Sequence, residues 1–541
     1  MTDNPNIAAM LAERARKDPG RLAIVEYRRG RARRITFGGL GEKVATVSAG
    51  LKADGVAVGD RVLLFVPMSI DLYALLLGCL HVGAIAVFVD AWADRRRLDA
   101  AVKAANPLVF VGTARAHLLR AVSGAVRRIP VHRTTALARS TIRQGQPHGH
   151  LPPEVVQPHD PALITFTTGS TGKPKAAARS HGFLRAQHEA LAAHLQLSPE
   201  DVDMPTLPVF VLNNLALGVP SVIPDFDARR PAEIVPERIY RQMVAEGVTT
   251  SSGSPALYDR LAEWCQTQGL KLPLRALWTG GASVYPPLAR RLADATDGIA
   301  HVVYGSTEAE PIAGIEAREM LTLMESQSQP PNSAGLCVGK PVREVAIRLI
   351  RPHDGPVSLT MAGWEDWVVG AGEVGEVVVS GSHVLGEYFN SPDETKLHKI
   401  LEGGRIWHRT GDAALIDPEG RLWLMGRIAE RVERQGKVWW SVPPELAALQ
   451  TTGVTHASYL GIPDPSLGQR AVLCVEVASG LLSAHAVTAL REAVKPSPID
   501  DLVVVRRIPR DPRHASKTDL AALRRLLARR SWRSSRKAYF L

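Results

Sequence analysis

Cysteine is scarce in this sequence, with four residues in a chain of 541. They are too widely spaced for a zinc cluster and too few for the disulfide framework of a secreted scaffold. We therefore predict reduced thiols in the core of a cytoplasmic protein. The four residues are Cys79, Cys265, Cys337 and Cys474.

The N-terminal region lacks the apolar core of a secretion signal, because Glu13, Arg14 and Arg16 lie where that core would be. Charge is also absent from residues 72–89, a stretch of 18 residues that approaches the length of a transmembrane helix. A histidine and two glycines interrupt it, and strand-like apolar runs lie just before it and at its end. We therefore predict a buried β-α-β unit there.

Acidic residues are outnumbered by basic ones, 54 to 65, which gives a net charge of +11 and a pI near 9.6. Much of this excess is local, because the last 18 residues contain seven basic side chains and no acidic one. We predict a solvated basic helix and tail and no nucleic-acid partner. Contact of this tail with a membrane surface or a partner enzyme is the alternative left open. The basic residues are Arg524, Arg525, Arg529, Arg530, Arg533, Arg536 and Lys537.

Apolar runs of strand length alternate with helical patterns over most of the chain, which predicts an α/β fold with parallel sheets covered by helices. After about residue 372 the strands become short and alternating, with Gly and Asp-Pro between them, as in an antiparallel subdomain. From about Gly426 the pattern returns to mixed α/β. This change predicts a small C-terminal domain.

The segment LITFTTGSTGKPKAAARSHG, residues 163–182, combines a strand-like run with glycines, hydroxyl groups and lysines. A Walker A loop has four residues between its glycines, whereas two separate Gly169 from Gly172 here. Proline, moreover, follows Lys173 where that loop needs Ser or Thr. What remains is a turn whose N–H groups, hydroxyls and lysines would surround a polyphosphate, or a polar turn without a ligand.

Residues 167–175, TTGSTGKPK, resemble the phosphate loop of the adenylate-forming ligases, the superfamily of acyl-CoA synthetases, luciferases and peptide-synthetase adenylation domains. The other motifs of that superfamily follow in the expected order, so the resemblance covers nearly the whole chain. These motifs are TGGAS at 279–283, YGSTE at 304–308, RTGD at 409–412, Arg427 after Gly426, and Lys517 at the end of DPRHASK.

The resemblance implies a large N-terminal AMP-binding domain, residues 1–425, made of two αβαβα subdomains and a small β-barrel subdomain. It also implies a small mobile α+β C-terminal domain, residues 426–541, that carries the catalytic lysine. ATP and Mg²⁺ are the implied cofactors. The residues implied in nucleotide binding are Thr167, Thr168, Gly169, Ser170, Thr171, Gly172, Lys175, Gly280, Gly281, Ala282, Tyr304, Gly305, Ser306, Thr307, Asp412 and Arg427.

The implied chemistry joins a carboxylate to AMP, which turns a poor electrophile into a mixed anhydride with a good leaving group. Negative charge must be neutralised where the carboxylate meets the α-phosphate, and the resemblance assigns that role to Lys517. It assigns Mg²⁺ to Glu308 and the departing pyrophosphate to Lys175 and its loop. His181 has two open interpretations, a ligand contact or a support for the following helix.

Two departures from the acyl-CoA synthetase pattern concern the second half-reaction. Val211 stands where those enzymes have the histidine of LP-x-F-H. In the hinge sequence GRIAERVERQG, Ala429 replaces the usual acid and Glu433 the usual lysine. Rotation of the C-terminal domain into a thioester-forming position is therefore not expected.

These departures resemble the olefin-biosynthesis β-lactone synthetases, as do residues 204–233, 253–264, 405–433 and 507–517. The resemblance implies adenylation of a β-hydroxy fatty acid, after which the substrate's own hydroxyl attacks the acyl carbon and closes a β-lactone. An internal nucleophile needs no second bound substrate. We predict an alkyl-chain pocket, with ordinary core packing as the other interpretation, formed by Val209, Phe210, Val211 and Asn213.

Two alternatives remain at this stage. One is a fatty acyl-CoA or acyl-carrier-protein ligase with a divergent hinge. The other is a nucleotide-binding protein without turnover, against which the presence of Lys175, Glu308, Asp412 and Lys517 argues.

Overall fold

The computed structural model describes residues 4–89, 95–138, 152–168, 174–227, 230, 233–326, 335–478, 480–510, 517–528 and 539–540. Within them the chain alternates strands and helices, as the sequence predicts. The strands are β1 (Leu22–Arg28), β2 (Arg31–Thr36), β3 (Arg61–Phe65), β4 (Ile85–Phe88), β5 (Val109–Gly112), β6 (Val131–Thr134), β7 (Pro161–Thr168), β8 (Pro174–Ser180), β9 (Asp203–Pro205), β10 (Ser221–Ile223), β11 (Thr250–Gly253), β12 (Ala276–Gly280), β13 (Ile299–Ser306), β14 (Ala309–Glu316), β15 (Leu336–Pro341), β16 (Ala346–Ile350), β17 (Gly375–Ser380), β18 (Lys399–Glu402), β19 (Arg405–Ile416), β20 (Leu422–Arg427), β21 (Val432–Arg434), β22 (Lys437–Trp439), β23 (Val454–Asp464), β24 (Gly468–Val477), β25 (Asp501–Val505) and β26 (Tyr539–Phe540).

Helices cover the sheets. The α-helices are α1 (Ala8–Lys17), α2 (Phe37–Ala53), α3 (Ile70–His81), α4 (Arg95–Ala105), α5 (Leu119–Val122), α6 (Gly124–Arg127), α7 (His181–Leu195), α8 (Pro208–Leu217), α9 (Pro236–Ala245), α10 (Pro255–Gln268), α11 (Pro286–Ala295), α12 (Ala317–Glu325), α13 (Pro392–His398), α14 (Val442–Leu449), α15 (Ala484–Ala493) and α16 (Leu520–Ala528). Short 3₁₀ segments occur at Ala116–Leu118, Thr135–Ala138 and Ile428–Glu430.

The first sheet has the order β6-β5-β3-β4-β7-β8, parallel except for the β7–β8 hairpin. Successive residues of a strand point to opposite faces. Val62 and Leu64 thus join the core that contains α2 and α3, whereas Leu63 and Phe65 join the core that contains α4. This is a helix-sheet-helix layering with a buried interior on each face.

The uncharged stretch 72–89 lies within this first unit. It contributes most of α3, whose residues from Ile70 to Leu80 are all buried, and then β4, which pairs with β3 in parallel. The predicted β-α-β unit is confirmed. In the part of the chain that the structure describes, no helix is long and apolar enough to cross a membrane.

The second sheet is parallel from β1 through β10, β9, β11 and β12 to β13, and antiparallel beyond. The antiparallel strands predicted for the small subdomain extend it, because β20 pairs with β15 and leads on to β19, β17 and β16. Residues 279–283 and 304–308 follow or end the adjacent strands β12 and β13. They therefore meet at the carboxyl edge of the sheet, where α/β proteins bind ligands.

A third sheet forms the C-terminal part of the chain, with the order β22-β21-β24-β25-β26 and β23 beside β24. Helix α14 connects this part to the second sheet, because Val442 and Leu446 share a hydrophobic cluster with Trp423 and Met425. All four cysteines are free and buried, as predicted. Burial raises the pKa of their thiols, so they do not act as nucleophiles.

Candidate active site

One continuous cleft of about 2380 Å³ runs along the carboxyl edges of the first two sheets and reaches the C-terminal domain. Its walls include Lys175, Glu308, Asp412, Arg427 and Lys517, which stand far apart in the sequence. The fold thus brings these five predicted residues to one site. Predicted nucleotide contacts that also line it are Gly281, Ala282, Tyr304, Gly305, Ser306 and Thr307.

Asp412 and Arg427 form the best-defined part of this site. They stand opposite each other on the antiparallel strands β19 and β20, and Arg427 Nη1 donates to Asp412 Oδ1 over 2.7 Å. The Tyr304 hydroxyl donates to the other carboxylate oxygen, Oδ2, over 2.8 Å. The Asp412 carboxylate raises the pKa of Arg427, so this guanidinium stays charged. The group presents a fixed carboxylate and cation, as the predicted ribose contacts require.

Two glycines shape the loop after β12. A side chain on Gly280 would lie 2.4 Å from the carbonyl oxygen of Val303, so the neighbouring strand can approach only a glycine there. Gly281 has a φ of +81°, a left-handed conformation that favours glycine. The loop that follows these close contacts lines the cleft with Gly281 and Ala282.

Glu308 ends the YGSTE motif and accepts a hydrogen bond from the Tyr388 hydroxyl over 2.9 Å. Tyr388 also lies beneath two ammonium groups, with Lys175 Nζ 5.5 Å and Lys399 Nζ 5.3 Å from its ring centre. Burial lowers the pKa of Lys399 to about 7. Charge of both signs is therefore concentrated around one aromatic ring.

Lys175 is almost fully buried and already paired. Its ammonium lies 2.7 Å from Glu394 Oε2 and 2.6 Å from His398 Nε2, both on α13. Burial lowers the pKa of His398 to about 4, so the ring is neutral and its Nε2 accepts a hydrogen bond from the Lys175 ammonium. The predicted phosphate-binding lysine thus has a protein carboxylate as its counterion in this structure.

The phosphate loop itself lies outside the described residues at Gly169, Ser170, Thr171, Gly172 and Lys173. Its two flanks are described, because Thr167 pairs with Lys175 and Thr168 with Pro174 in the β7–β8 hairpin. The hairpin places the loop's ends at the carboxyl end of β7, next to Lys175, which lines the same cleft as Glu308.

Lys517 lies on the C-terminal side of the cleft and is exposed. Its neighbour Thr518 forms an isolated β-bridge with Arg510. Glu430 is half-buried; desolvation raises its pKa, whereas the charges of Arg427 and Lys517 lower it. Lys517 and Arg427 line the same cleft.

The predicted alkyl-chain residues occupy different environments. Val209 lines the cleft together with Leu207 and Leu212. Phe210 packs with Leu191 and Trp278 in an apolar cluster behind this wall.

The other two predicted pocket residues are part of the interior. Val211 is fully buried in the core of the first unit. Asn213 forms a hydrogen bond of 2.8 Å through Oδ1 with His188 Nδ1. Only Val209 of the predicted four therefore lies on the cleft wall.

His181 is the first residue of α7 and is fully buried. Its Nδ1 accepts a hydrogen bond from the backbone N–H of Ile7 over 3.2 Å, and burial lowers its pKa to about 4. This neutral ring joins the N-terminal segment to α7, which supports the structural interpretation.

No motif of the sequence indicates a role for Tyr388, Glu394, His398 or Lys399. They lie outside every motif, and 80 positions separate Tyr388 from Glu308. No spacing in the sequence relates them to the phosphate loop, so only the folded chain shows that they surround Lys175.

Comparison with known proteins agrees with this site. A family model described as AMP-binding enzyme matches residues 11–389. The chain is 33% identical over 546 aligned positions to the olefin beta-lactone synthetase of Stenotrophomonas maltophilia (strain K279a), with 95% of this chain and 96% of that protein covered. It is 28% identical to the feruloyl-CoA synthase of an Amycolatopsis species, with 88% and 90% covered.

Among solved structures, ATP-bound MatB from Rhodopseudomonas palustris superposes with a TM-score of 0.79 at 21% identity, covering 97% of this chain and 99% of that one. The amide bond synthetase McbA from Marinactinospora thermotolerans has the same TM-score at 22% identity, covering 96% and 99%. At these identities the similarity establishes the fold, which agrees with the predicted α/β architecture.

Proposed function

Since the chain belongs to the AMP-binding enzyme family and is an adenylate-forming ligase, we propose that it activates a β-hydroxy fatty acid as the acyl-AMP and closes it to a β-lactone. The observation that carries this proposal is the 33% identity to an olefin beta-lactone synthetase over nearly the whole chain, against 28% to a CoA-forming relative. The site geometry supports the first step, and the hinge supports the second.

In the first step, the substrate carboxylate attacks the α-phosphate of ATP and pyrophosphate leaves. Asp412, held by Arg427 and Tyr304, would accept hydrogen bonds from the ribose hydroxyls. Lys517 would neutralise the charge that develops between carboxylate and phosphate, because fixed charges aimed at a transition state lower its free energy. Lys175 would leave Glu394 to meet the pyrophosphate.

Mg²⁺ fits this site as a companion of ATP. Glu308 is a hard oxygen donor, and Mg²⁺ is commonly held by one or two carboxylates plus phosphate oxygens. In the described part of the chain no group of three or more His, Cys, Asp or Glu residues is arranged to hold a metal, so ATP would supply other ligands. The ion would neutralise phosphate charge.

In the second step, the β-hydroxyl oxygen attacks the acyl carbon and gives up its proton to solvent, the bond between that carbon and the phosphate oxygen breaks, and AMP leaves. The hinge supports an internal nucleophile. Arg431 donates to Glu433 over 2.7 Å and to Asp354 of the large domain over 2.8 Å. Glu433, at the position where acyl-CoA synthetases usually have a lysine, thus pairs with Arg431. Each exposed ion pair of this kind contributes little to stability.

Acid-dependent ATP–pyrophosphate exchange tests adenylation, with saturated and 3-hydroxy fatty acids of several lengths as substrates. Mass spectrometry of the 3-hydroxy reactions should show a product lighter than the acid by one water, together with AMP. If no acid supports exchange, the adenylation assignments of this site fail. If a thioester forms when CoA is added and no lactone forms without it, the chain is a CoA ligase.

The basic tail and the location of the protein remain proposals. Arg524 and Arg525 lie in α16, whereas the basic residues from Arg529 to Lys537 lie outside the described residues. Reduced, buried cysteines favour a cytoplasmic location. A contact of the tail with a membrane or a partner enzyme would be tested by removing residues 529–541.

A further inference from the structure

Gln187 is a buried polar side chain in the cleft wall that no motif identifies. It lies on α7, is 2% exposed and lines the cleft. Its amide Nε2 donates a long hydrogen bond of 3.4 Å to the backbone oxygen of Glu310. Its Oε1 is buried and has no hydrogen-bond partner among the residues that the structure describes.

The orientation of this amide follows from its neighbour. If the amide were flipped, Oε1 would face the carbonyl oxygen of Glu310 and two acceptors would oppose each other. The bond to Glu310 therefore leaves Oε1 as the unpaired atom. Burying a carbonyl oxygen without a hydrogen-bond donor costs free energy, so such atoms are rare in folded proteins.

The surroundings of Gln187 indicate which hydrogen-bond donor would pair with its Oε1 atom. The cleft that Gln187 lines contains apolar side chains, with Leu184, Val209, Leu212 and Val303, and also the charged side chains of Arg179 and Glu310. Glu310, which anchors the amide, lies two residues after the YGSTE motif. The amide therefore lies on a cleft wall that carries both apolar and polar groups, next to the segment that follows the YGSTE motif.

We propose that Gln187 Oε1 accepts a hydrogen bond from the β-hydroxyl of the substrate acid. This inference rests on the proposed function. A hydroxyl near the carboxyl end of an alkyl chain would supply the donor that this buried acceptor lacks. Gln187 is then a specificity and positioning residue, because it holds the attacking oxygen on one side of the acyl carbon.

The proposal predicts selection among acids that differ only in the hydroxyl. A site that hydrogen-bonds a hydroxyl discriminates against the analogue that lacks it, because the buried acceptor stays unpaired. The wild-type protein should prefer one 3-hydroxy enantiomer to the other and to the unsubstituted acid, by about tenfold or more in kcat/KM for pyrophosphate exchange.

The test compares Gln187→Leu and Gln187→Met with the wild type. Both variants keep volume and apolar contact but remove the acceptor, and Met serves if Leu lowers the melting temperature. Each variant should lose activity on the favoured enantiomer and retain exchange on the unsubstituted acid. The preference for that enantiomer over the other enantiomer and over the unsubstituted acid should therefore fall to about threefold or less. The control is Gln242→Leu, since Gln242 is equally buried on α9 but accepts from the Asp225 N–H away from the cleft.

Folded variants that keep the wild-type preferences would overturn the inference, as would equal losses on all three acids. Failure of the proposed function has a different signature. In that case the wild type itself would form no lactone from any 3-hydroxy acid, whatever Gln187 does to the preference during exchange.

Discussion

Tyr285 and Glu445 join two segments that are far apart in the sequence: the Tyr285 hydroxyl, in the loop before α11, donates to Glu445 Oε2 on α14 over 2.5 Å. The other carboxyl oxygen, Oε1, accepts from the backbone N–H of Tyr459 over 2.9 Å. Burial of this carboxyl raises its pKa to about 8. The carboxyl group that joins α14 to the loop before α11 is therefore expected to change its charge near neutral pH.

Stability should fall as the pH rises through this range. Because the folded pKa lies above the unfolded value of about 4.5, the folded protein retains a proton that the unfolded chain releases. The free energy of unfolding from this group thus decreases between about pH 4.5 and pH 8 and is constant above it. The Glu445→Gln variant has no titrating group at this position, so this loss should be absent. Its stability relative to the wild type should therefore increase up to about pH 8.

Melting temperatures of both proteins at intervals from pH 5 to pH 9 would measure this difference. Glu492→Gln, an exposed carboxylate on α15, is the matched control and should follow the wild type. Parallel curves for wild type and Glu445→Gln would show that Glu445 does not titrate in this range.

Lys517→Ala should slow adenylation by about a hundredfold or more, because removing a preorganised charge from a transition state typically costs this much. The KM for ATP should change little, since the lysine would act mainly in the transition state. Pyrophosphate-exchange kinetics provide both constants. Lys437→Ala, an exposed lysine of the same domain, should have wild-type rates. An unchanged rate in Lys517→Ala would remove this residue from the mechanism.

Asp412→Asn should raise the KM for ATP by about tenfold or more. A hydrogen bond to a charged group contributes about 1.5–3 kcal/mol, and the substitution also leaves Arg427 without its ion-pair partner. Tyr304→Phe removes one donor to the same carboxylate and should have a smaller effect. Equal KM values in the wild type and Asp412→Asn would show that the ribose binds elsewhere.

Val211→His tests the meaning of the missing histidine. Because Val211 is fully buried in the core, the larger polar ring should destabilise the protein by about 2–4 kcal/mol. Urea unfolding measures this loss. We expect no gain of thioester formation with CoA, because the side chain does not reach the cleft. A stable variant that makes a thioester would show that position 211 controls the acceptor.

The elements of the fold were largely predictable because each carries a local signal. The run RVLLFV became β3 and PALYDRLAEW became the first part of α10, since strand and helix patterns bury different faces. The joining of the antiparallel strands to the second sheet was not predictable. It depends on the pairing of Cys337 with Trp423 across β15 and β20, a contact between distant residues that no local pattern encodes.

The candidate site shows the same limit. Asp412, Arg427 and Tyr304 come from three separate motifs, and the structure brings them into hydrogen-bond contact. Val211 aligned with a motif position, yet its burial in the core was invisible in the sequence. Gln187 carried no signal, because a glutamine on an amphipathic helix is ordinary until the fold buries it without a partner for its oxygen.

The pairing of Lys175 with Glu394 has a consequence for which anions the site retains. The Lys175 ammonium already has the Glu394 carboxylate of the same chain 2.7 Å away. An incoming anion must therefore displace this carboxylate, which is present at a high local concentration. Free phosphate or sulfate would make a single contact in place of the Glu394 carboxylate. A nucleoside triphosphate would be held along its whole length, so its contact with Lys175 would be one of many. If Lys175 binds phosphate groups, we therefore expect free phosphate and sulfate to compete poorly with ATP for this site.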